Sequence, residues 1–288
     1  MDMNTYTLND GSRIPQIGFG TYQIDSTEPI RFAVEAGYRF FDTASLYETE
    51  RILGQGLRES GLPREEFIIE TKLWIDEMID PAAALERSLK RLGTDYVDIF
   101  MIHWPRETGA PDEKWKEKDL ETYTRMEKLV AAGKARRLGL SNFLPHHLKN
   151  ILDHCSIRPV VNQLELHPGY SQEAALAFSR ENGLMPMAWS PFGRGQSRDI
   201  LGNRMVQDLS EKYGKSPQQI TLRFLLQKGI LPIPKAAGRE HIRENTEVFD
   251  FSLTEDEVSM LTCMPQTTWL GEHPDFAIPA ARSNPKNI

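Results

Sequence analysis

A chain of 288 residues with 40% hydrophobic content can bury a large core, either as one barrel-sized domain or as two smaller ones. Its formal net charge of -7, with no basic block, argues against nucleic acid or an anionic membrane surface as the main partner, and no apolar run approaches the ~18 residues of a membrane span. Cys155 and Cys263 lack C-x-x-C spacing and predict free thiols in a reducing compartment, and the opening M-D-M-N-T-Y-T has no export signal, so the cytoplasm is the expected setting.

Residues 5–15, T-Y-T-L-N-D-G-S-R-I-P, read as a β-hairpin turning at Asn9-Asp10-Gly11 and are expected to plug a barrel floor. From Gln16 onward, strand-like and helix-like stretches alternate, and Gly37, Gly61, Gly93, Gly133, Gly183 and Gly229 stand just past the last periodic residue of a helix. Strand 17–20 precedes a helix from Pro29, strand 38–42 a helix over 48–60, and strand 67–72 a helix capped by Asp80 with Pro81 in its first turn. Strand 97–102 leads through a long charged loop, 104–118, to a helix over 120–132; strand 135–140 leads to a helix from Pro145. Strand 160–164 precedes helix 172–182, and strand 185–189 a glycine-rich loop and helix 199–213. A helix capped by Ser216 comes before the eighth strand, 230–233, with a short helix over 240–249 after it and another opened by the Thr254/Glu257 capping box. The alternation fits a single α/β domain over 1–288: a (β/α)8 TIM barrel with an N-terminal hairpin plug and two extra helices. The tail, 265–288, lacks a helical period and is expected to lie over the surface.

Three strand exits carry ionisable residues. Asp42 leaves the second strand, with Tyr47 on the loop behind it; Lys72 ends the third and His103 follows the fourth. In a parallel barrel these exits share one rim, the face where barrel enzymes do chemistry. Each alone has an ordinary reading as a cap, a solvated charge, a packing ring or a buried imidazole, but together they point to an active site. His146, His147, His154 and Cys155 lack i, i+4 pairing with a third ligand and read as helix surface, so no metal is expected. No strand-turn-helix G-x-G-x-x-G or P-loop occurs. A glycine loop over 190–195 and Lys235, leading to a helix start near Arg239, offer a phosphate site instead.

The motifs G-F-G-T-Y (18–22), F-D-T-A (41–44) with Tyr47, T-K-L-W (71–74), I-H-W-P (102–105), L-S-N-F (140–143), V-N-Q-L-E (161–165), W-S-P-F-G-R-G (189–195) and P-I-P-K (232–235) resemble those of the aldo-keto reductases of bacterial type, over nearly the whole chain to about Met264. That resemblance implies reduction of a small or medium carbonyl compound by hydride from nicotinamide. Tyr47 would give the proton, Lys72 would make the phenol more acidic, Asp42 would keep Lys72 charged and aimed, and His103 would orient the carbonyl. It also implies that Ser141, Asn142 and Gln163 hold the carboxamide, Trp189 stacks on the ring, and Glu244 and Asn245 contact adenine. Gly20, Thr21, Tyr22, Asp42, Ser190, Phe192, Gly195, Ile233, Lys235, Ala236, Arg239 and His241 would complete the cofactor site.

Tyr22, Trp74, His103, Trp104 and the 104–118 loop would wall the substrate pocket, with Arg106, Lys114, Lys116 and Lys118 read as a solvated charge run. Where relatives typically read K-S-x-x-x-x-R-I-x-E-N, residues 235–245 are K-A-A-G-R-E-H-I-R-E-N. Ala236 thus replaces a serine, and His241 replaces an arginine that stacks on adenine and pairs the 2′-phosphate. NADPH is the expected cofactor because Lys235 is kept, with NADH use open, and a monomer is the expected state. The competing reading is a nicotinamide-nucleotide-binding regulatory subunit with little turnover.

Overall fold

The computed structural model describes residues 4–105, 114–194, 197–266 and 273–275. Strands β1 (Thr5–Thr7) and β2 (Arg13–Pro15) pair antiparallel with Tyr6 opposite Ile14. Leu8 and Ile14 of this hairpin are buried against Phe40, Ile99, Met101, Val161, Met187 and Leu231. These are inward side chains of the barrel strands, so the hairpin stops the floor as its sequence suggests.

The strands β3 (Phe19–Gly20), β4 (Phe40–Asp42), β5 (Ile68–Leu73), β6 (Val97–Ile102), β7 (Ala135–Ser141), β8 (Val161–Glu165), β9 (Met185–Trp189) and β10 (Leu231–Pro232) pair in chain order. All of these pairings are parallel. The two ends of that order meet: the N–H groups of Gly18 and Gly20 donate to the carbonyls of Pro232 and Pro234, each at 3.0 Å. The sheet therefore closes into a (β/α)8 barrel. Glycine is needed at the seam, because a Cβ on Gly18 would stand 2.5 Å from the Phe40 ring.

Around the barrel run α1 (Glu28–Glu35), α2 (Glu50–Glu59), α3 (Pro81–Leu92), α4 (Lys114–Ala131), α5 (Pro145–Leu152), α6 (Glu173–Glu181), α7 (Ser197–Leu201), α8 (Arg204–Tyr213), α9 (Pro217–Gln227), α10 (Arg239–Glu244) and α11 (Glu255–Thr262). The start signals act locally: the Ala83 N–H donates to Asp80 Oδ1 at 3.1 Å, and Ser216/Gln219 and Thr254/Glu257 form reciprocal capping boxes. The six punctuating glycines all carry positive φ. Between sheet and helices lies the main core, where Phe41, Ile69, Phe100 and Leu140 meet Ile30, Leu57, Leu89 and Leu148. Each such buried side chain contributes about 1.5–3 kcal/mol.

Many element bounds shift by one or two residues from those expected from the sequence, and some differences carry a physical reason. α4 begins at Lys114 rather than 120, because Trp115, Asp119, Thr122, Tyr123, Met126 and Leu129 form one buried stripe, so 114–118 belong to a helix and not to a loop. The helix read over 199–213 is two, broken at Gly202, with Asn203 Oδ1 capping α8 by accepting from the Met205 N–H at 2.9 Å. β4 starts at Phe40, leaving Tyr38 buried but outside the strand. The helix read over 240–249 is Arg239–Glu244. Of the tail, only 265–266 and 273–275 are among the described residues. No helix among the described residues is long and apolar enough to cross a membrane.

Candidate active site

Strand alternation sets the site. On β5, Ile69 and Leu73 face the helices while Glu70 and Lys72 face the barrel interior, two layers of one inward row. Asp42 ends β4 beside them, and the short turn Ser45–Tyr47 carries the phenol back over the rim. Lys72 is fully buried; its Nζ donates to Asp42 Oδ2 and, at 3.0 Å, to the Thr43 carbonyl, and lies 5.1 Å from the Tyr47 ring centroid. The Tyr47 ring meets Tyr22 at 4.9 Å and His103 at 5.5 Å, both edge-on, and His103 meets Trp74 at 4.9 Å. The four ionisable groups singled out from the sequence therefore share one cluster.

Burial pushes the Tyr47 phenol up to about 12, although the Lys72 ammonium pulls it down. Lys72 thus eases loss of the phenolic proton, but it does not bring Tyr47 below its ordinary value, because desolvation outweighs one cation. Burial also acts to strip Lys72 of its proton, and the acidic groups around it, Asp42 foremost, more than offset it, so the ammonium is held above its usual range. Burial and the Lys72 charge hold His103 well below 6.5, which keeps the imidazole neutral. Its Nδ1 has no hydrogen-bond partner among the described residues.

A cavity of about 430 Å³ opens onto this cluster. Gly20, Tyr22, Asp42, Tyr47, Trp74, His103, Trp104, Asn142, Gln163, Trp189, Ser190, Phe192, Ile233 and Lys235 line it. Thr21 and Ser141 sit behind the wall: Thr21 Oγ1 is 3.0 Å from Thr49 Oγ1, and Ser141 Oγ donates to the Gln163 carbonyl at 3.0 Å. Ala236, Arg239, His241, Glu244 and Asn245 do not reach it. Arg239 instead pairs with Glu35 of α1 at 2.8 Å and lies 4.4 Å over the Phe32 ring, while His241 is exposed on α10. Gly195 and Arg106 lie outside the described residues.

Several wall residues are not among those singled out from the sequence: Leu46, Leu201, Gln218 and Arg194, whose Nη2 donates to the Tyr22 hydroxyl at 2.5 Å. Glu70 also escapes notice there, although a carboxylate inside an apolar strand two residues from Lys72 is a legible signal. The Trp189 indole is fixed by its Nε1–H, donating to Asn142 Oδ1 at 2.9 Å, and Asn142 Nδ2 donates to the His103 carbonyl at 2.9 Å. An immobilised aromatic face, a side-chain amide at Gln163 and a cation at Lys235 in one cavity suit a ligand carrying a flat ring, a carboxamide and phosphates.

Away from the rim, His146, His147 and Asp275 place one ligand atom each within 4.8 Å of one another. His147 Nδ1 accepts from the Leu144 N–H at 3.1 Å, so the neutral ring carries its proton on Nε2, which stands 3.1 Å from Asp275 Oδ1 but makes no hydrogen bond among the described residues. That tautomer has no lone pair for a metal on Nε2.

The aldo/keto reductase family model matches residues 16–264. The 9,11-endoperoxide prostaglandin H2 reductase of Trypanosoma cruzi is 40% identical over 282 residues, 96% of this chain and 96% of that protein. The glyoxal reductase of Bacillus subtilis is 36% identical over 94% of this chain and 96% of its own length. An aldo-keto reductase of Bombyx mori solved in complex with NADP superposes with a TM-score of 0.81 at 36% identity, covering 91% of this chain and 92% of its own. With the family model spanning all eight barrel strands and relatives of this identity matching over nearly their full length, the chain belongs to the aldo/keto reductase family.

Proposed function

We propose that this protein reduces small aldehydes or ketones to alcohols using NADPH, with Tyr47 as the proton donor. Carbonyl reduction is what the family's name and that of the Bacillus subtilis glyoxal reductase state, whereas the Trypanosoma cruzi relative is named for reducing an endoperoxide; the cofactor, the acid and the substrate size are our reading. The observation that carries it is the Tyr47 ring wedged between the Lys72 ammonium and the neutral His103 imidazole at the cavity floor. When bound, the reduced nicotinamide supplies hydride to the carbonyl carbon, so negative charge grows on the carbonyl oxygen. Tyr47, fully protonated at neutral pH, hands its proton to that oxygen, and Lys72 stabilises the phenolate left behind. His103 holds the oxygen as a neutral hydrogen-bond partner. Trp74, Trp104 and Tyr22 exclude water from one side of the cavity.

NADPH rather than NADH is supported by Lys235 on the cavity wall and by the NADP bound to the Bombyx mori relative. Glyoxal, methylglyoxal and an aromatic aldehyde are the substrates to try first, given the small aromatic cup. NADPH oxidation followed by absorbance should show turnover with at least one of them. Tyr47→Phe should lower kcat by about 100-fold or more while NADPH binding, read by fluorescence, is retained. Equal turnover in that variant removes Tyr47 from the acid role, and no turnover by the unaltered protein on the whole set overturns the reading.

A further inference from the structure

The proton transfer above employs Asp42, Lys72, Tyr47 and His103 and leaves Glu70 without a role. Glu70 is fully buried inside the barrel, one inward layer beneath Lys72. Its Oε1 accepts from Gln163 Nε2 at 2.7 Å and lies 3.5 Å from Lys72 Nζ, while its Oε2 has no hydrogen-bond partner among the described residues. The same Gln163 Nε2 donates to Asp42 Oδ2 at 3.0 Å. The polar groups around this carboxyl are thus Asp42 from β4, Lys72 from β5, Tyr47 from the loop above and Gln163 from β8. A primary amide nitrogen has two hydrogens, and here both are engaged by carboxyl groups on the inner side. The amide therefore has only its carbonyl oxygen left to offer anything bound in the cavity that Gln163 lines.

We propose that Glu70 is a positioning residue: together with Asp42 it draws the Gln163 amide nitrogen inward, so that Gln163 Oε1 faces the cavity as an acceptor for the carboxamide N–H of the nicotinamide ring. This rests on the reading of the cavity as a nicotinamide site. With Asp42 as its only inner acceptor, the amide loses one of the two bonds that fix its orientation, and the acceptor turned to the carboxamide is no longer held. Burial keeps the Glu70 carboxyl well above the usual carboxylate range, so it sits beside Asp42 without adding a second full negative charge beneath Lys72.

The test is a double-mutant cycle on cofactor affinity. NADPH is titrated by fluorescence into the unaltered protein, Glu70→Val, Glu70→Gln, Gln163→Ala and the Glu70→Val/Gln163→Ala pair, with thermal melts reporting folding. Glu70→Val should weaken NADPH binding by about tenfold, the loss of one hydrogen-bonded anchor. Glu70→Gln keeps an acceptor for the Gln163 amide and should recover affinity to within about threefold. The double variant should bind no more weakly than Gln163→Ala. A 2′-phospho-ADP-ribose fragment, which lacks the carboxamide, should bind Glu70→Val as it binds the unaltered protein.

A Glu70→Val penalty that persists in full on the Gln163→Ala background, or that appears equally with the fragment, overturns the inference, as does unweakened NADPH binding by Glu70→Val. Glu70→Thr takes its place if the valine variant does not fold. Failure of the unaltered protein to bind NADPH at all would instead bring down the reading of the cavity itself.

Discussion

The imidazole of His103 meets the Tyr47 ring edge-on, with centroids 5.5 Å apart and planes at 79°, the first buried and the second half-buried on the cavity wall beside the Lys72 ammonium. A second positive charge there is costly, and this sets a pH signature. His103 is held well below 6.5, first by burial and then by Lys72. Below pH ~6.5 the unfolded chain takes up a proton at this residue and the folded chain does not, so the unfolded state binds more protons and stability falls with acid. The slope from one such histidine is about 1.4 kcal/mol per pH unit. Thermal midpoints measured from pH 7 to pH 5 should drop, and drop less steeply in His103→Asn. Catalysis should behave differently: kcat should show no ionisation near 6.5 that His103→Asn removes. A His103-dependent limb at that pH would mean that the ring titrates freely and that the neutral-partner role is wrong.

Much of this arrangement is legible from one sequence because its signals are local. Asp80, Ser216 and Thr254 announce helix starts through their own side chains, and the glycines closing six helices are where left-handed backbone is required. The rim cluster is legible because parallel strands send their exits to one face, whatever the helices do. What escapes depends on partners distant in sequence. Arg239 follows Lys235 closely, yet it pairs with Glu35 and lies over Phe32, one turn apart on α1, contacts that no local signal announces. The start of α4 hides inside the run K-W-K-E-K, where charge masks a buried stripe set by Trp115 and Asp119. The Tyr47 pKa escapes for a different reason: residue types reveal the cation beside it, but not the depth of burial that outweighs the cation.

Helix α2 packs on α3 through a glycine that has no space to grow. A Cβ on Gly54 would stand 1.9 Å from the Leu92 carbonyl oxygen and 2.6 Å from its carbon, backbone atoms at the end of α3 that cannot swing aside. Gly54→Ala must push the two helices apart, and overpacking of this kind costs about 1–3 kcal/mol, outweighing the gain in helix propensity of about 1 kcal/mol. Urea unfolding should place its midpoint below that of the unaltered protein. Gln55→Ala, on the exposed face of the same helix, should move it little. A Gly54→Ala midpoint equal to the original would show that α2 and α3 have slack at this contact.

Cofactor choice should respond to position 241. His241 is exposed on α10 and carries a compact ring where an arginine would reach farther with a permanent charge. Lys235 is the cation on the cavity wall nearest in sequence to that helix, and by our reading it meets the 2′-phosphate that distinguishes NADPH from NADH. A guanidinium added beside that phosphate contributes a charge-assisted hydrogen bond, about 1–1.5 kcal/mol at a solvent-exposed position. His241→Arg should therefore raise the ratio of kcat/KM for NADPH over NADH by about five- to tenfold, mostly through KM for NADPH, with kcat at saturation little changed. Lys235→Met should lower the same ratio. If His241→Arg shifts both cofactors equally, the added charge is acting on the shared pyrophosphate and the 2′-phosphate lies elsewhere.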